Sequence, residues 1–181
     1  CFEGPWSDYN TFQTILYECN TISALGLPKN ISSNVTIPPV EIKFDISNQV
    51  GTTADINLKN INISHGDISK LEISAKSPSG KIVKVISERC SSISGMSTSF
   101  DDSSPLPISC GQIKADKTFQ PGEALSAFNG DPVQGDWSVS ITTKKGGSSG
   151  VISSLDFELC ASVTSSPIIK INNNVLKVKT G

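Results

Sequence analysis

The sequence predicts an all-β protein, a β-sandwich or jelly roll built from short antiparallel strands. Apolar and polar residues alternate in many short segments, and turn-forming residues separate these segments. Ser, Thr and Asn make up 53 of the 181 residues, a composition that favours strands and turns over helices. At about 100 to 200 residues per domain, the chain has the length of one domain with attached segments.

Residues 40–46 show the alternation most clearly. Four apolar residues there are separated by three charged ones, so one face of a strand is buried and the other is exposed. The next apolar segment, 54–63, changes parity near Lys59 and Asn60. Because side chains in a strand alternate with a period of two, this change predicts a β-bulge or bend.

A hairpin is predicted for residues 71–75 and 81–86. The segment between them, Ser77-Pro78-Ser79-Gly80, has Pro at the second turn position and Gly at the fourth. Further turn signals follow at 129–136 and 144–150. The strands predicted after them lie at 137–141 and 155–159.

The cysteines and the single histidine exclude a common zinc site and indicate disulfides. No CxxC or CxH pair exists, and the five cysteines stand at positions 1, 19, 90, 110 and 160. Cys90 and Cys110 flank a Ser-rich loop with two prolines, and closing such a loop would stabilise the fold by about 3 kcal/mol. A Cys90–Cys110 disulfide is therefore predicted, which implies an oxidising compartment.

Charge and hydropathy exclude two classes of partner. The chain has 15 Lys and Arg against 17 Asp and Glu, so nothing favours nucleic acid. It contains no run of 18 apolar residues, so no membrane span is expected. Its N-terminus lacks the pattern of a signal peptide, and we expect the sequence to be an interior piece of a longer chain.

Eight short motifs follow one another in the order 61–65, 71–73, 77–80, 100–102, 119–122, 125–130, 135–137 and 155–159. Through these motifs the chain resembles, from about residue 28 to 163, the P domain (P/Homo B). This domain follows the catalytic domain of kexin- and furin-type proprotein convertases and also occurs in secreted bacterial proteins. The resemblance implies a jelly-roll β-sandwich of galactose-binding-like architecture, without an active site of its own.

The resemblance also implies a division of the chain. Residues 1–27 are expected to form an aromatic-rich lead-in segment, and 28–163 the P domain. Residues 164–181 are a linker and the first strands of a following module, similar to the start of a cadherin-like repeat. A second disulfide, Cys19–Cys160, would tie the lead-in segment to the last strand of the domain and leave Cys1 without a partner.

Calcium is the one cofactor that the resemblance allows, although none is required. Bacterial members hold it with acidic loop residues, and the candidate ligands here are Asp101, Asp102 and Asp131, with Asp67 as a further candidate. The family has acidic residues where this chain has Ser69-Lys70 and Thr143-Lys144-Lys145, and lysines disfavour a bound cation. The alternative is that Asp101 and Asp102 cap a turn.

Four residues are assigned structural roles. His65 is expected to be a hydrogen-bonded structural histidine, since no second histidine could share a catalytic role. Pro78 and Gly80 shape the hairpin turn. Trp137 begins an alternating strand, which favours a core position over a sugar-stacking one.

The sequence thus predicts a non-catalytic P domain of a secreted or cell-surface multidomain bacterial protein. It would stabilise or target an attached peptidase or other module, with neighbouring domains of the same polypeptide as partners, and it would be a monomer. The alternative is an adhesion or carbohydrate-binding module with a protein or glycan ligand. A catalytic fragment is disfavoured, because a single histidine and the absence of nucleophile motifs leave no catalytic constellation.

Overall fold

Alternating apolar and polar residues produce strands that assemble into two facing sheets. The computed structural model describes residues 14–165, 168–172 and 175–179. The first six strands are β1 (Thr14–Ser23), β2 (Lys29–Ile31), β3 (Val40–Phe44), β4 (Thr52–His65), β5 (Leu71–Lys76) and β6 (Ile82–Ser87). The others are β7 (Met96–Phe100), β8 (Lys117–Phe119), β9 (Trp137–Thr143), β10 (Gly150–Ser165), β11 (Ile168–Asn172) and β12 (Val175–Lys179).

Helical structure in these ranges is limited to three 3₁₀ turns, at Ile68–Lys70, Cys110–Gln112 and Leu125–Phe128. None of the described helical segments is long and apolar enough to cross a lipid bilayer. The predicted all-β class is therefore confirmed.

The larger sheet has the strand order β1-β10-β4-β7-β8, and β2 also pairs with β10. The smaller sheet has the order β3-β9-β5-β6 and is antiparallel throughout. In the larger sheet only β7 and β8 run parallel. Strands β11 and β12 form a separate two-stranded sheet.

The core lies between the two sheets. Phe44 of β3 contacts Phe157 of β10 across it, with ring centroids 4.9 Å apart. The side chains of Ile42 and Ile141 in the smaller sheet and of Leu58 in the larger one are also buried. Full burial of such side chains stabilises the fold by about 1.5–3 kcal/mol each.

Two local features follow the sequence pattern closely. The register of β4 against β7 shifts between Leu58 and Ile61, and Asn60 has a φ of 52°. This is the bulge that the parity change predicts at Lys59 and Asn60. β5 and β6 pair antiparallel, which is the predicted hairpin.

The predicted division of the chain falls partly outside the described residues. Cys1 and the aromatic residues Trp6, Tyr9 and Phe12 of the predicted lead-in segment lie outside the described residues. The second half of the predicted lead-in segment forms β1, which pairs along its whole length with β10, from Thr14 opposite Ser165 to Ser23 opposite Asp156. The boundaries at residues 28 and 163 stay a prediction.

Candidate functional site

Asp131 lies in a hydrogen-bonded cluster that joins the β5–β6 turn to the segment before β9. The residue is 9% exposed. Its carboxylate accepts hydrogen bonds from Ser79 Oγ at 2.9 Å and from Lys81 Nζ at 3.1 Å. Burial raises the pKa of the Asp131 carboxyl, but hydrogen bonds from Ser77, Ser79 and Lys81 and the charge of Lys81 outweigh burial and hold the pKa below its ordinary value. The cluster is therefore an ion pair between Asp131 and Lys81, and the Ser79 hydroxyl donates a further hydrogen bond to the carboxylate.

Pro78 and Gly80 set the geometry of that turn. Gly80 has a φ of 87° and donates its N–H to the Ser77 carbonyl at 2.9 Å, a conformation that favours glycine. A Cβ at Gly135 would come within 2.6 Å of the Pro78 ring. Pro78 thus packs closely against the Gly135 backbone, which brings the turn against the segment before β9.

Asp101 and Asp102 cap two different segments. Asp101 accepts hydrogen bonds from the Ser103 backbone N–H at 2.7 Å and the Ser103 hydroxyl at 2.6 Å. Asp102 accepts from the N–H groups of Leu125 and Ser126, at 2.9 and 2.7 Å. These are the first residues of a 3₁₀ turn, so Asp102 serves as a cap from a distant part of the sequence.

The candidate calcium ligands do not come together as one site. Within the described ranges, no three His, Cys, Asp or Glu side chains are grouped so that they could hold a metal ion. Asp67, the further candidate, accepts hydrogen bonds from Ser69 and Ser92. A hard cation needs about 6–8 oxygen ligands, and the Asp101, Asp102 and Asp131 carboxylates are each held by N–H or O–H donors. The residues therefore do not fit a calcium site.

His65 uses both ring nitrogens in structural hydrogen bonds. Nδ1 accepts from the Asp67 N–H at 3.1 Å, so it carries no proton, and Nε2 lies 3.2 Å from the Ser148 carbonyl oxygen and donates to it. The side chain is buried. It links the end of β4 to the β9–β10 turn and has no free nitrogen for a catalytic role.

Trp137 is completely buried. Its indole N–H donates to the Val133 carbonyl at 2.8 Å, and its ring meets Phe128 edge to face with centroids 5.3 Å apart. Because no face of the ring is open to solvent, Trp137 cannot serve as a stacking surface for a sugar.

Two disulfides join the cysteines in the pairs named from the sequence. Cys19 of β1 stands opposite Cys160 of β10 and is bonded to it. Cys90 is bonded to Cys110 across the Ser-rich loop.

The sequence reasoning missed an open cleft beside β3. Its volume is about 620 Å³, and its lining is Leu25, Lys29, Glu41, Lys43, Phe44, Asp45, Ile46, Ser47, Gly135 and Asp136. The exposed charges of Glu41 and Lys43 in β3 and of Asp45 directly after it are visible in the sequence, but the other lining residues come from distant segments. The contribution of these distant segments to the cleft could be identified only from the structure.

The fold is a disulfide-linked β-sandwich, and the candidate site residues in the described ranges serve as structural contacts. The family model of the proprotein convertase P-domain matches residues 55–159. The chain therefore belongs to the proprotein convertase P-domain family, whose members are non-catalytic accessory domains. No curated protein matches the chain.

Two solved structures are similar in fold. A serine protease of Aeromonas sobria in complex with the chaperone ORF2 has 15% sequence identity and a TM-score of 0.53, with 82% of this chain and 27% of that chain covered. The structure of the serine protease of Aeromonas sobria has 14% identity and a TM-score of 0.50, with 86% and 28% covered. The chain thus spans about a quarter of the length of each, and the likeness shows the fold alone.

Proposed function

We propose that this chain is a non-catalytic P domain of a secreted or cell-surface multidomain protein, in which it stabilises or positions an attached peptidase. Membership of the P-domain family over residues 55–159 carries this proposal. The two similar structures are serine proteases of about four times the matched length, which supports a peptidase neighbour. Residues 28–163 would be the domain, 1–27 its lead-in segment, and 164–181 a linker into a following module.

The contacts of the polar residues support a non-catalytic role. In the described part of the chain, both ring nitrogens of His65 are hydrogen-bonded, and the carboxylate of Asp131 is paired with Lys81. A general base needs a free proton acceptor within reach of a substrate, and neither residue offers one. The two disulfides support an oxidising, extracellular location.

The proposal is tested on the parent polypeptide, expressed whole and without residues 28–163. We expect the truncated protein to lose peptidase activity faster on heating and to melt at a lower temperature, because it lacks the contacts with this domain. A whole protein in which Asp136, an exposed residue, is changed to Ala serves as the control. Equal half-lives of the whole and truncated proteins would contradict the stabilising role.

The isolated chain provides a second measurement. We expect it to hydrolyse neither peptide nor ester substrates. Turnover by the purified chain would contradict the non-catalytic assignment, and binding on a glycan array without any effect on a peptidase would support the carbohydrate-binding alternative instead.

A further inference from the structure

The cleft beside β3 lies at an open side of the sandwich. β3 is an edge strand of the smaller sheet, where its partner is β9. Leu25, from the segment that leads into β2, and Lys29, the first residue of β2, also line the cleft. The volume of about 620 Å³ lies within the usual range of ligand sites. Phe44 and Ile46 line the same cleft with buried side chains.

The backbone of β3 presents hydrogen-bonding groups to this cleft. The Glu41 carbonyl accepts a hydrogen bond from Lys29 Nζ at 2.6 Å, so the backbone groups of Glu41 point away from β9. The N–H and C=O groups of successive residues in a strand point to opposite sides. Those of Lys43, two residues on, therefore point into the cleft, where an added strand could pair with them.

The side chains along this edge alternate in charge. Glu41, Lys43 and Asp45 are all exposed, in the order negative, positive, negative. Opposite charges that face each other across two strands are favourable and like charges are unfavourable. An antiparallel partner strand therefore needs a basic residue opposite Asp45 and an acidic residue opposite Lys43. Between them, opposite Phe44, it needs an apolar residue.

We propose that the edge of β3 that has no partner strand among the described residues binds an extended peptide segment with the order basic–apolar–acidic, which adds to the smaller sheet as an antiparallel strand. Main-chain hydrogen bonds to Lys43 supply affinity, and the alternating side chains supply selectivity. Lys29 closes the end of the cleft at Glu41, so the bound segment is short. This binding activity does not depend on which domain neighbours the chain.

The test uses a fluorescent peptide with a Lys-Val-Glu centre and Thr flanks, and binding is measured by fluorescence anisotropy. We expect saturable binding, and about tenfold weaker binding of the peptide with a Glu-Val-Lys centre, because two charge pairs become repulsive. The double variant Lys43→Glu with Asp45→Lys should reverse this preference. Lys76→Glu, an exposed lysine of β5 in the same sheet, should leave it unchanged.

Methylation of the peptide backbone separates strand addition from simple charge attraction. N-methylation of the Glu amide, which faces β3, should abolish binding, whereas N-methylation of the Val amide, which faces away, should not. Absence of saturable binding at millimolar peptide would overturn the proposal, as would equal effects of the two methyl groups. A stable dimer of the chain that the peptide does not dissociate would also overturn it, because a second copy would then occupy the edge.

Discussion

Asp131 is held mainly by side chains, whereas Asp102 is held by backbone N–H groups. The side-chain donors within hydrogen-bond distance of the Asp131 carboxylate are Ser79, at the third position of the tight turn, and Lys81, directly after the turn. Loss of the carboxylate would remove one acceptor from the Ser79 hydroxyl and one from the Lys81 ammonium, which also donates to the Ala127 carbonyl. The cost of such a loss is set by the desolvation of the remaining groups as much as by the bond itself.

The change Asp131→Ala is expected to lower the free energy of unfolding by about 1–3 kcal/mol at pH 7. Because hydrogen bonding and Lys81 hold the pKa of Asp131 below its ordinary value of 3.8, the carboxylate stabilises the fold above that value. This contribution is lost as the pH falls through the lowered pKa. Urea unfolding at pH 7 and pH 3 checks this, with Asp136→Ala as an exposed control. If Asp131→Ala lowers the free energy of unfolding as much at pH 3 as at pH 7, the predicted contribution of the ionised carboxylate is wrong.

The carboxyl pKa of Asp55 is shifted in the opposite direction to that of Asp131. Burial raises the pKa of its carboxyl, and the charges of Asp101 and Asp102 raise it further, although a hydrogen bond from Asn57 opposes them. Because the folded pKa lies above the unfolded one, the folded state binds more protons between the two values. Stability therefore falls as the pH rises through that window.

We expect Asp55→Asn to raise the melting temperature at pH 7 and to leave it unchanged at pH 3, where the wild-type carboxyl is already protonated. The new amide oxygen can still accept from Asn57. Thermal melts between pH 3 and pH 7 provide the measurement. Asp45→Asn is the matched control, because a hydrogen bond from Ser47 lowers the pKa of Asp45 and its pH dependence should have the opposite sign. A lower melting temperature for Asp55→Asn at pH 7 would refute this account.

At the scale of elements, the disulfides differ in the length of chain that they close. Cys19 and Cys160 are 141 residues apart, and Cys90 and Cys110 are 20 apart. In the chain-entropy account, a longer loop restricts the unfolded chain more strongly. The bond between β1 and β10 should therefore contribute more to stability than the bond across the Ser-rich loop.

Replacing both Cys19 and Cys160 by Ser is expected to cost about 2 kcal/mol more than replacing both Cys90 and Cys110. Chemical denaturation of the two double variants under non-reducing conditions measures the difference. The loop pair is the internal control, since it removes the same number of sulfur atoms. Equal losses would show that loop length does not determine the contribution.

The strands with strict alternation could be predicted from the sequence, and so could the bulge at Lys59–Asn60 and the β5–β6 hairpin. In each case neighbouring residues in the chain carry the signal. The parallel pairing of β7 with β8 could not be predicted, because it depends on contacts between segments that are distant in sequence. The same reason applies to the cap that Asp102 provides for Leu125 and Ser126. It also applies to the cleft, whose two walls come from different sheets.

At the scale of the whole molecule, internal hydrogen bonds compete with metal binding. Calcium would have to compete with the N–H and O–H groups that donate to Asp101, Asp102 and Asp131. Because a ligand stabilises a protein only by its preference for the folded state, we expect the melting temperature to be the same in millimolar calcium and in chelator. A higher melting temperature in calcium than in chelator, with no such difference in the Asp101→Asn variant, would contradict this expectation and support a calcium site.

The first strand connects the lead-in segment to the sandwich. Because β1 pairs with β10 from Asp156 to Ser165, a chain without residues 1–27 would expose that part of the edge of β10 and leave Cys160 unpaired. Unpaired edges favour pairing with other chains. The side chain of Ile22, which packs against the core, would also be lost.

We therefore expect a chain of residues 28–181 with Cys160→Ser to melt below the full chain that carries Cys19→Ser and Cys160→Ser, and to self-associate as its concentration rises. Removal of residues 1–13 alone retains β1 and serves as the control. Thermal melts and analytical ultracentrifugation give the two readouts. If the chain of residues 28–181 is monomeric and as stable as the full-length double variant, β1 would be an attachment to the domain. If it is less stable and associates, β1 belongs to the folded unit, and the domain begins before residue 28.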